Sequence, residues 1–351
     1  MPFEIVRNDI TRVKADVTVN TANTYPVVGS GVDAAIYRAA GEALFKAREE
    51  IGRIAVGEAA VTPGFDLPSK WVIHTVAPTW RGGFQGEELL LRSCYEKSLA
   101  LAADRGAGSV AFPLIAAGNE GFPPELALRA ALEAISDFLL HSDMQVTLVV
   151  FDRTAWKLSE ELTAPVRSFI DENYVVKAVE KEYGAFPQPL KKISSARIRR
   201  PKRIKEKKLY EEEAMPPPME LSAATAPSAG LDELLRETDA GFQETLLKLI
   251  DRSGRTDADV YKKANVDRKL FSKIRGNIAY RPSKTTALAF AVALELDVEE
   301  TRDLLMRAGF ALSKSSKLDI IVEYFLMKKE YDILAINAVL FDFDQPLLGG
   351  R

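Results

Sequence analysis

A chain of 351 residues is long enough for two domains, each with its own core. Its 47 Lys and Arg against 50 Asp and Glu leave a net charge of −3, so no global field draws it to nucleic acid. One cysteine, Cys94, excludes an internal disulfide and suits a reducing cytoplasm, and two histidines, His74 and His141, argue against a Cys/His metal centre, so no metal and no cofactor is expected.

The first residues, Met1-Pro2-Phe3-Glu4-Ile5-Val6, lack the basic and apolar segments of a signal peptide, and no apolar run approaches a membrane span. A cytoplasmic protein with no membrane partner is expected. Strands are predicted at Phe3–Val6, Val17–Val19, Ala59–Pro63, Trp71–Val76, Ser109–Pro113 and Gln145–Phe151. Helices are predicted at Asp33–Ile51, Glu87–Arg105, Pro123–Ser142 and Ala155–Asp171. This alternation predicts an α/β sandwich over residues 1–173, with helices on both faces of the sheet. Ligand loops then fall at the carboxyl ends of the strands.

The most informative stretch is residues 17–41. A β-branched run ends in Asn20-Thr21-Ala22-Asn23, and Gly29-Ser30-Gly31 then opens into the helix-forming Val32-Asp33-Ala34-Ala35-Ile36. Strand, glycine loop and helix start together suit a phosphorylated ligand, because backbone N–H groups at a helix N-terminus face the anion. The plain alternative is an ordinary turn.

Four segments in order carry a resemblance. Asn8-Asp9-Ile10-Thr11 resembles a Gly-Asp-Ile-Thr motif, and residues 20–41 resemble a first ligand loop. Trp71-Val72-Ile73-His74-Thr75-Val76-Ala77-Pro78 resembles a Val-Ile-His-Thr-Val-Gly-Pro strand, and Ala111 to Pro123 resembles a second ligand loop. Together they resemble the macro domain family, of MacroD type, which binds ADP-ribose. The resemblance implies a three-layer α/β/α fold with a mixed sheet.

It also implies roles. Asp9, beside Ile10, accepts from the adenine amino group, although a turn or cap is the plain reading of that aspartate. Gly29, Ser30, Gly31 and Val32 form one backbone clamp on the pyrophosphate, and Ala117, Gly118, Asn119, Glu120 and Gly121 form the other. Phe122 covers the distal ribose, against a plain reading of core packing. Asn23 sits near that ribose, and Asp33 orients or activates a water there with the substrate's phosphate assisting, so these two are the catalytic candidates. The plain reading of Asp33 is an acid at a helix N-terminus. His74 and Thr75, in mid-strand, read as structural. The chain departs from the family at Ser30, at Tyr37 where a histidine is usual, at Ala116-Ala117 in place of Ser-Thr, and at Asn119-Glu120.

Residues 174–230 read as a flexible linker. A basic run, 191–208, holds ten Lys or Arg and one Glu, and a Pro-rich and Ala/Ser-rich stretch follows. The basic run either attracts RNA or DNA or keeps a linker solvated. Residues 231–351 read as an all-helical domain. Thr256 to Asn277 resembles the helix-turn-helix of the Cro/XRE-like repressors, with Asn265-Val266 in the turn and Asp267 capping the second helix. Arg268, Lys269, Ser272, Lys273 and Arg275 would meet the groove, yet acidic and basic residues nearly balance over this region. The apolar segments 320–326 and 333–340 read as core or as a dimer contact, and Gly349-Gly350-Arg351 as a frayed tail.

Two functions follow. One is a hydrolase that removes mono-ADP-ribose from a macromolecule, or the acyl group from O-acyl-ADP-ribose, with the helical domain targeting it or binding a protein such as an ADP-ribosyltransferase. The other is a non-catalytic ADP-ribose sensor coupled to a DNA- or protein-binding helical domain.

Overall fold

The computed structural model describes residues 2–118, 120–151, 163, 165–170 and 240–350. Asn119, most of the predicted helix Ala155–Asp171, and the whole of the linker with its basic run lie outside the described residues. Six strands form one mixed sheet: β1 (Phe3–Arg7), β2 (Val17–Thr21), β3 (Ala59–Pro63), β4 (Trp71–Thr75), β5 (Ser109–Pro113) and β6 (Gln145–Val150). Their order is β1-β6-β5-β2-β4-β3, and every pairing is parallel except β3 with β4. The central strands are buried on both faces, as Val17, Val19, Val110 and Phe112 show for one and Thr18 and Ala111 for the other.

Helices α1 (Val32–Ala40), α2 (Glu42–Ile51), α3 (Glu87–Asp104) and α4 (Pro124–Leu139) cover the sheet. The single helix predicted over Asp33–Ile51 is broken at Gly41. There φ is +81°, and a Cβ would lie 3.0 Å from an Asp66 carboxylate oxygen. Ile10, Ile36, Tyr37, Leu44 and Val72 fill one side of the sheet, and a larger core fills the other.

That larger core runs on into the C-terminal helices α5 (Phe242–Ser253), α6 (Asp257–Lys263), α7 (Arg268–Arg275), α8 (Lys284–Ala293), α9 (Val298–Arg307), α10 (Lys317–Lys328) and α11 (Ile333–Asp342). Most are begun by a side-chain cap. Thr256 and Asp297 form capping boxes with Asp259 and Glu300, and Asp267, Ser283, Ser316 and Asp332 each accept from a first-turn N–H. The apolar segments 320–326 and 333–340 are spent inside the chain, where Ile320, Ile321, Phe325, Ile336 and Leu340 are buried.

Residues 1–176 and 240–351 fall in one compact unit. Its seam is the edge strand β1. The Asn265 side chain accepts from Phe3 N at 2.9 Å and donates to Phe3 O at 3.0 Å, and it reaches Leu348 O at 3.2 Å. An amide thus stands in for the missing neighbouring strand. Arg7 pairs with Asp344 at 3.4 Å and lies over the Phe341 ring at 5.4 Å.

The reading of a frayed tail is corrected at Gly349 and Gly350, while Arg351 lies outside the described residues; Leu348, just before them, is wholly buried. Its N–H donates to Asn337 Oδ1 at 2.6 Å and its carbonyl accepts from Asn337 Nδ2 at 3.0 Å. Gly349 and Gly350 pack so closely that a Cβ would fall 2.4 Å from Asn265 O and 2.5 Å from Leu270 Cδ2 respectively. Among the described residues no helix is long and apolar enough to cross a membrane.

An Asn265→Ala variant removes the Asn265 partners of Phe3 N–H and Phe3 O at a buried seam, leaves Leu348 O with Asn337 alone, and puts alanine at φ +52°. It should lose about 2–4 kcal/mol of stability, read as a lower denaturant midpoint. An unchanged midpoint would remove the seam from the fold's energetics.

Candidate active site

The carboxyl ends of β1, β6, β5, β2 and β4 share one edge of the sheet, because these strands are parallel. The turn at Asp9, the loop 22–31, the segment after β4, the loop 114–122 and Phe151 all leave from that edge. This is where the strand-end argument places a ligand.

Asp33 is 3% exposed. Its Oδ1 accepts from Asn20 Nδ2 at 2.6 Å and its Oδ2 from Gly29 N at 2.6 Å. Burial pushes its carboxyl above the ordinary aspartate value, against those two hydrogen bonds and the Arg48 charge. Asn23 lies across Gly29 from it, since a Cβ on Gly29 would sit 3.0 Å from Asn23 Nδ2 and 3.3 Å from Asp33 Oδ2. The Asn23 amide itself donates to Val27 O at 2.8 Å. Gly31 takes φ +62°, ψ −125° immediately before α1, a backbone region open essentially to glycine. Thus Asn23, Gly29, Gly31 and Asp33 are brought together by one loop, with Ser30 exposed at its tip.

Behind Asp33 a polar chain crosses three strands. Asn20 Nδ2 is also 3.2 Å from His74 Nδ1, and His74 Nε2 is 2.9 Å from Thr62 Oγ1. The amide must offer hydrogens to the Asp33 carboxylate, which only accepts, so His74 Nδ1 accepts as well and its Nε2 carries the proton. The imidazole is wholly buried, and desolvation, helped by Arg48, pushes its pKa down to about 3. Tyr37 has its ring 6.3 Å from that of His74. Burial first, and the Asp33 charge next, push its hydroxyl up to about 12, so it stays neutral.

The other expected ligand residues are placed as follows. Asp9 caps a short turn over Ile10–Arg12. Its Oδ1 accepts from Thr11 N at 3.0 Å and Thr11 Oγ1 at 2.7 Å, and the Thr11 hydroxyl leads in holding its carboxyl below the usual range. Ile10 is buried beneath α1, and Val32 packs against the same cluster. In the second loop Ala116 takes φ +65° and Gly121 φ +71°. The N–H groups of Ala117 and Gly121 point at Leu114 O and Gly118 O, each at 3.5 Å. Glu120 accepts from Thr79 Oγ1 at 2.7 Å, and its carbonyl accepts from Trp80 N at 2.8 Å. Phe122 is buried with its ring 4.9 Å from Trp80.

On α7, Arg268, Lys269, Ser272, Lys273 and Arg275 are all exposed. Arg275 is paired with Asp257, and Lys273 lies over the Tyr280 ring at 5.7 Å. No group of His, Cys, Asp and Glu among the described residues could hold a metal ion.

Sequence reasoning missed three contributors. Arg48 is 1% exposed beneath the first loop, yet in Phe45-Lys46-Ala47-Arg48-Glu49-Glu50 it reads as one more charge on a solvated helix face. Asn20 was visible as a strand-end amide, but its bond to Asp33 spans a loop that local pattern cannot close. Phe151, 75% exposed at the end of β6, looked like the last residue of a strand.

Because His74 is neutral in the fold but protonates near its ordinary pKa of about 6.5 once unfolded, the unfolded chain binds the extra proton between those values. The stability it contributes is full above about 6.5 and is lost as pH falls towards about 3. Denaturant midpoints taken from about pH 7 down to about pH 4 should fall less steeply in a His74→Gln variant. Parallel slopes would show that another group governs the acid limb.

The macro domain family model matches residues 19–131. A macro domain-containing protein of Methanosarcina mazei is 43% identical over 157 residues, 44% of this chain and 84% of that protein. The O-acetyl-ADP-ribose deacetylase of Escherichia coli K12 is 43% identical over 166 residues, 46% of this chain and 94% of the enzyme. A solved Oceanobacillus iheyensis macrodomain with ADP is 37% identical, over 47% of this chain and 92% of that one, at a TM-score of 0.43. The family model spans both loops described above, and the curated relatives are covered over most of their length. This chain belongs to the macro domain family.

Proposed function

We propose that this chain binds ADP-ribose at the carboxyl edge of its sheet and hydrolyses a bond at the distal ribose. The substrate is either a mono-ADP-ribosylated macromolecule or an O-acyl-ADP-ribose. The observation that carries this reading is the buried Asp33 carboxylate, fixed by Gly29 N–H and the Asn20 amide and set across Gly29 from Asn23. The name of the Escherichia coli relative, O-acetyl-ADP-ribose deacetylase, supports the reaction class.

Each Asp33 oxygen accepts one protein hydrogen bond and keeps a second lone pair for a water. Burial makes the carboxylate a stronger base than an exposed aspartate, so it suits general-base help. That water adds its oxygen to the acyl or anomeric carbon, and the departing group leaves with a proton. Asp9 takes the adenine amino group, and the exposed Phe151 ring offers a face to the purine. Asn8 N donates to Val150 O at 3.2 Å, which sets these two strand ends side by side. Backbone N–H groups of Ser30, Gly31 and Val32, with the Ala117 to Gly121 loop opposite, take the pyrophosphate, while that of Gly29 is given to Asp33. Phe122 and Asn23 take the distal ribose.

The test is release of free ADP-ribose from mono-ADP-ribosylated protein and nucleic acid, with release of acid from O-acetyl-ADP-ribose beside it. Asp33→Ala should cut turnover about 10²–10⁴-fold while calorimetry still detects ADP-ribose binding. Wild type no faster than the variant on every substrate, with binding intact, would leave the sensor.

A second reading concerns the helical region. Of the α7 candidates Arg268, Lys269 and Lys273 are exposed without a carboxylate ion pair among the described residues, and Ser272 is exposed beside them, on a helix begun by the Asp267 cap. This favours a helix-turn-helix that meets nucleic acid, in either an enzyme or a sensor. Duplex binding should weaken with salt. In Arg268→Ala and Lys269→Ala the log–log slope should flatten by about 0.9 for each phosphate that is no longer neutralised. A salt-independent gel shift, or none, would assign the region to protein contacts.

A further inference from the structure

Beneath the first loop lies a cation for which hydrolysis at Asp33 gives no direct use. Arg48, on α2, is 1% exposed. Its guanidinium donates to Asn23 O at 2.9 Å and Thr24 O at 3.4 Å, and to Gly52 O at the end of its own helix. Backbone carbonyls, with no carboxylate ion pair among the described residues, satisfy it. Burial accordingly pulls its pKa below the ordinary arginine value, with Tyr37 and Asp33 opposing. A buried, always-charged side chain is an expensive way to tie a helix end to a loop, and Ile54 N→Thr24 O at 2.9 Å already supplies one tie.

The tie falls at one particular place. The Asn23 carbonyl is held by Arg48 while its side-chain amide is held by Val27 O, so the residue is fixed from both ends. A Cβ on Gly29 would lie 3.0 Å from that amide and 3.3 Å from Asp33 Oδ2, so glycine at this position is what lets the amide and the carboxylate face one another. Nη2 of the guanidinium serves both the Asn23 and Thr24 carbonyls while Nη1 serves Gly52 O, so the planar fork ties the loop to the end of α2 in one orientation, which a single point donor would not.

We propose that Arg48 is a positioning residue for the distal-ribose end of the ADP-ribose site. Its guanidinium fixes the Asn23–Thr24 backbone and so holds the Asn23 amide in place across Gly29 from Asp33. This rests on the reading of the site given above. Arg48 meets no ligand itself and acts through Asn23.

The test compares ADP-ribose with ADP, which lacks the distal ribose, by calorimetry on the full chain. Wild type should prefer ADP-ribose. Arg48→Met should weaken ADP-ribose about tenfold and ADP less than about twofold, so the preference collapses. Arg48→Lys, which keeps the charge and loses the fork, should recover part of that preference and serves as the measurement if the methionine variant does not fold. Equal weakening of both nucleotides, or an unchanged ratio in both variants, would overturn the role of Arg48 alone. Wild type binding neither nucleotide would overturn the reading of the site, and the role of Arg48 with it.

Discussion

The carboxylate of Asp33 is the constraint on which the first loop depends. A buried acid with no partner would cost several kcal/mol or take up a proton, so its environment must supply donors. Gly29 N–H and the Asn20 amide do so, one from each side of the loop that runs from β2 to α1. Asp33 therefore closes the loop that presents it. The two readings of this residue, an acid at a helix start and a base for water, are compatible: reaching back to Gly29 is a cap-like contact that also aims the carboxylate. Through Asn20 the same constraint extends to His74 on β4 and Thr62 on β3.

The C-terminal helices impose a second constraint, on β1. An edge strand offers unpaired N–H and C=O groups to any passing chain. Here Asn265 covers those of Phe3, and Arg7 is held between Asp344 and the Phe341 ring two residues before Asp9. Asn265 is also the turn between α6 and α7, with φ +52°. Its side chain faces the sheet and the buried Leu348, while the cations of α7 remain exposed. The helix pair is thus docked by its turn and leaves its charged face outward.

Much of this was legible in the sequence, and the rest has a physical reason for being hidden. Strands such as Ala59–Pro63 and Ser109–Pro113 could be placed because short apolar runs are bounded by glycine, proline and charge. The cap at Asp267 likewise acts within three residues of itself. What stayed hidden acts across the fold. Gly41 breaks a helix where Asp66, far along the chain, crowds it, and Arg48 looks solvated until the loop it serves folds over it. Gly349 and Gly350 read as a frayed tail because Asn265, Leu270 and Thr286, against which they pack, have no local signature.

The same distinction bears on where this chain departs from its family. Of the three residues at the tip of the first loop, Gly29 admits no Cβ without crowding Asn23 and Asp33, and Gly31 holds a φ of +62°. Ser30 meets neither demand: it is exposed and does not take a positive φ. Serine therefore stands at the one position of the three where the backbone does not require glycine, and the geometry around Asp33 is kept. Ala116 is different. At φ +65° it holds a conformation that costs a non-glycine residue about 1–2 kcal/mol, so the second loop stores backbone strain where the first does not. Loss of the Ser-Thr hydroxyls there puts any pyrophosphate contact from that side on backbone N–H groups. On the function proposed above, the first loop, held by the Gly29, Asp33 and Arg48 contacts, then carries more of the recognition.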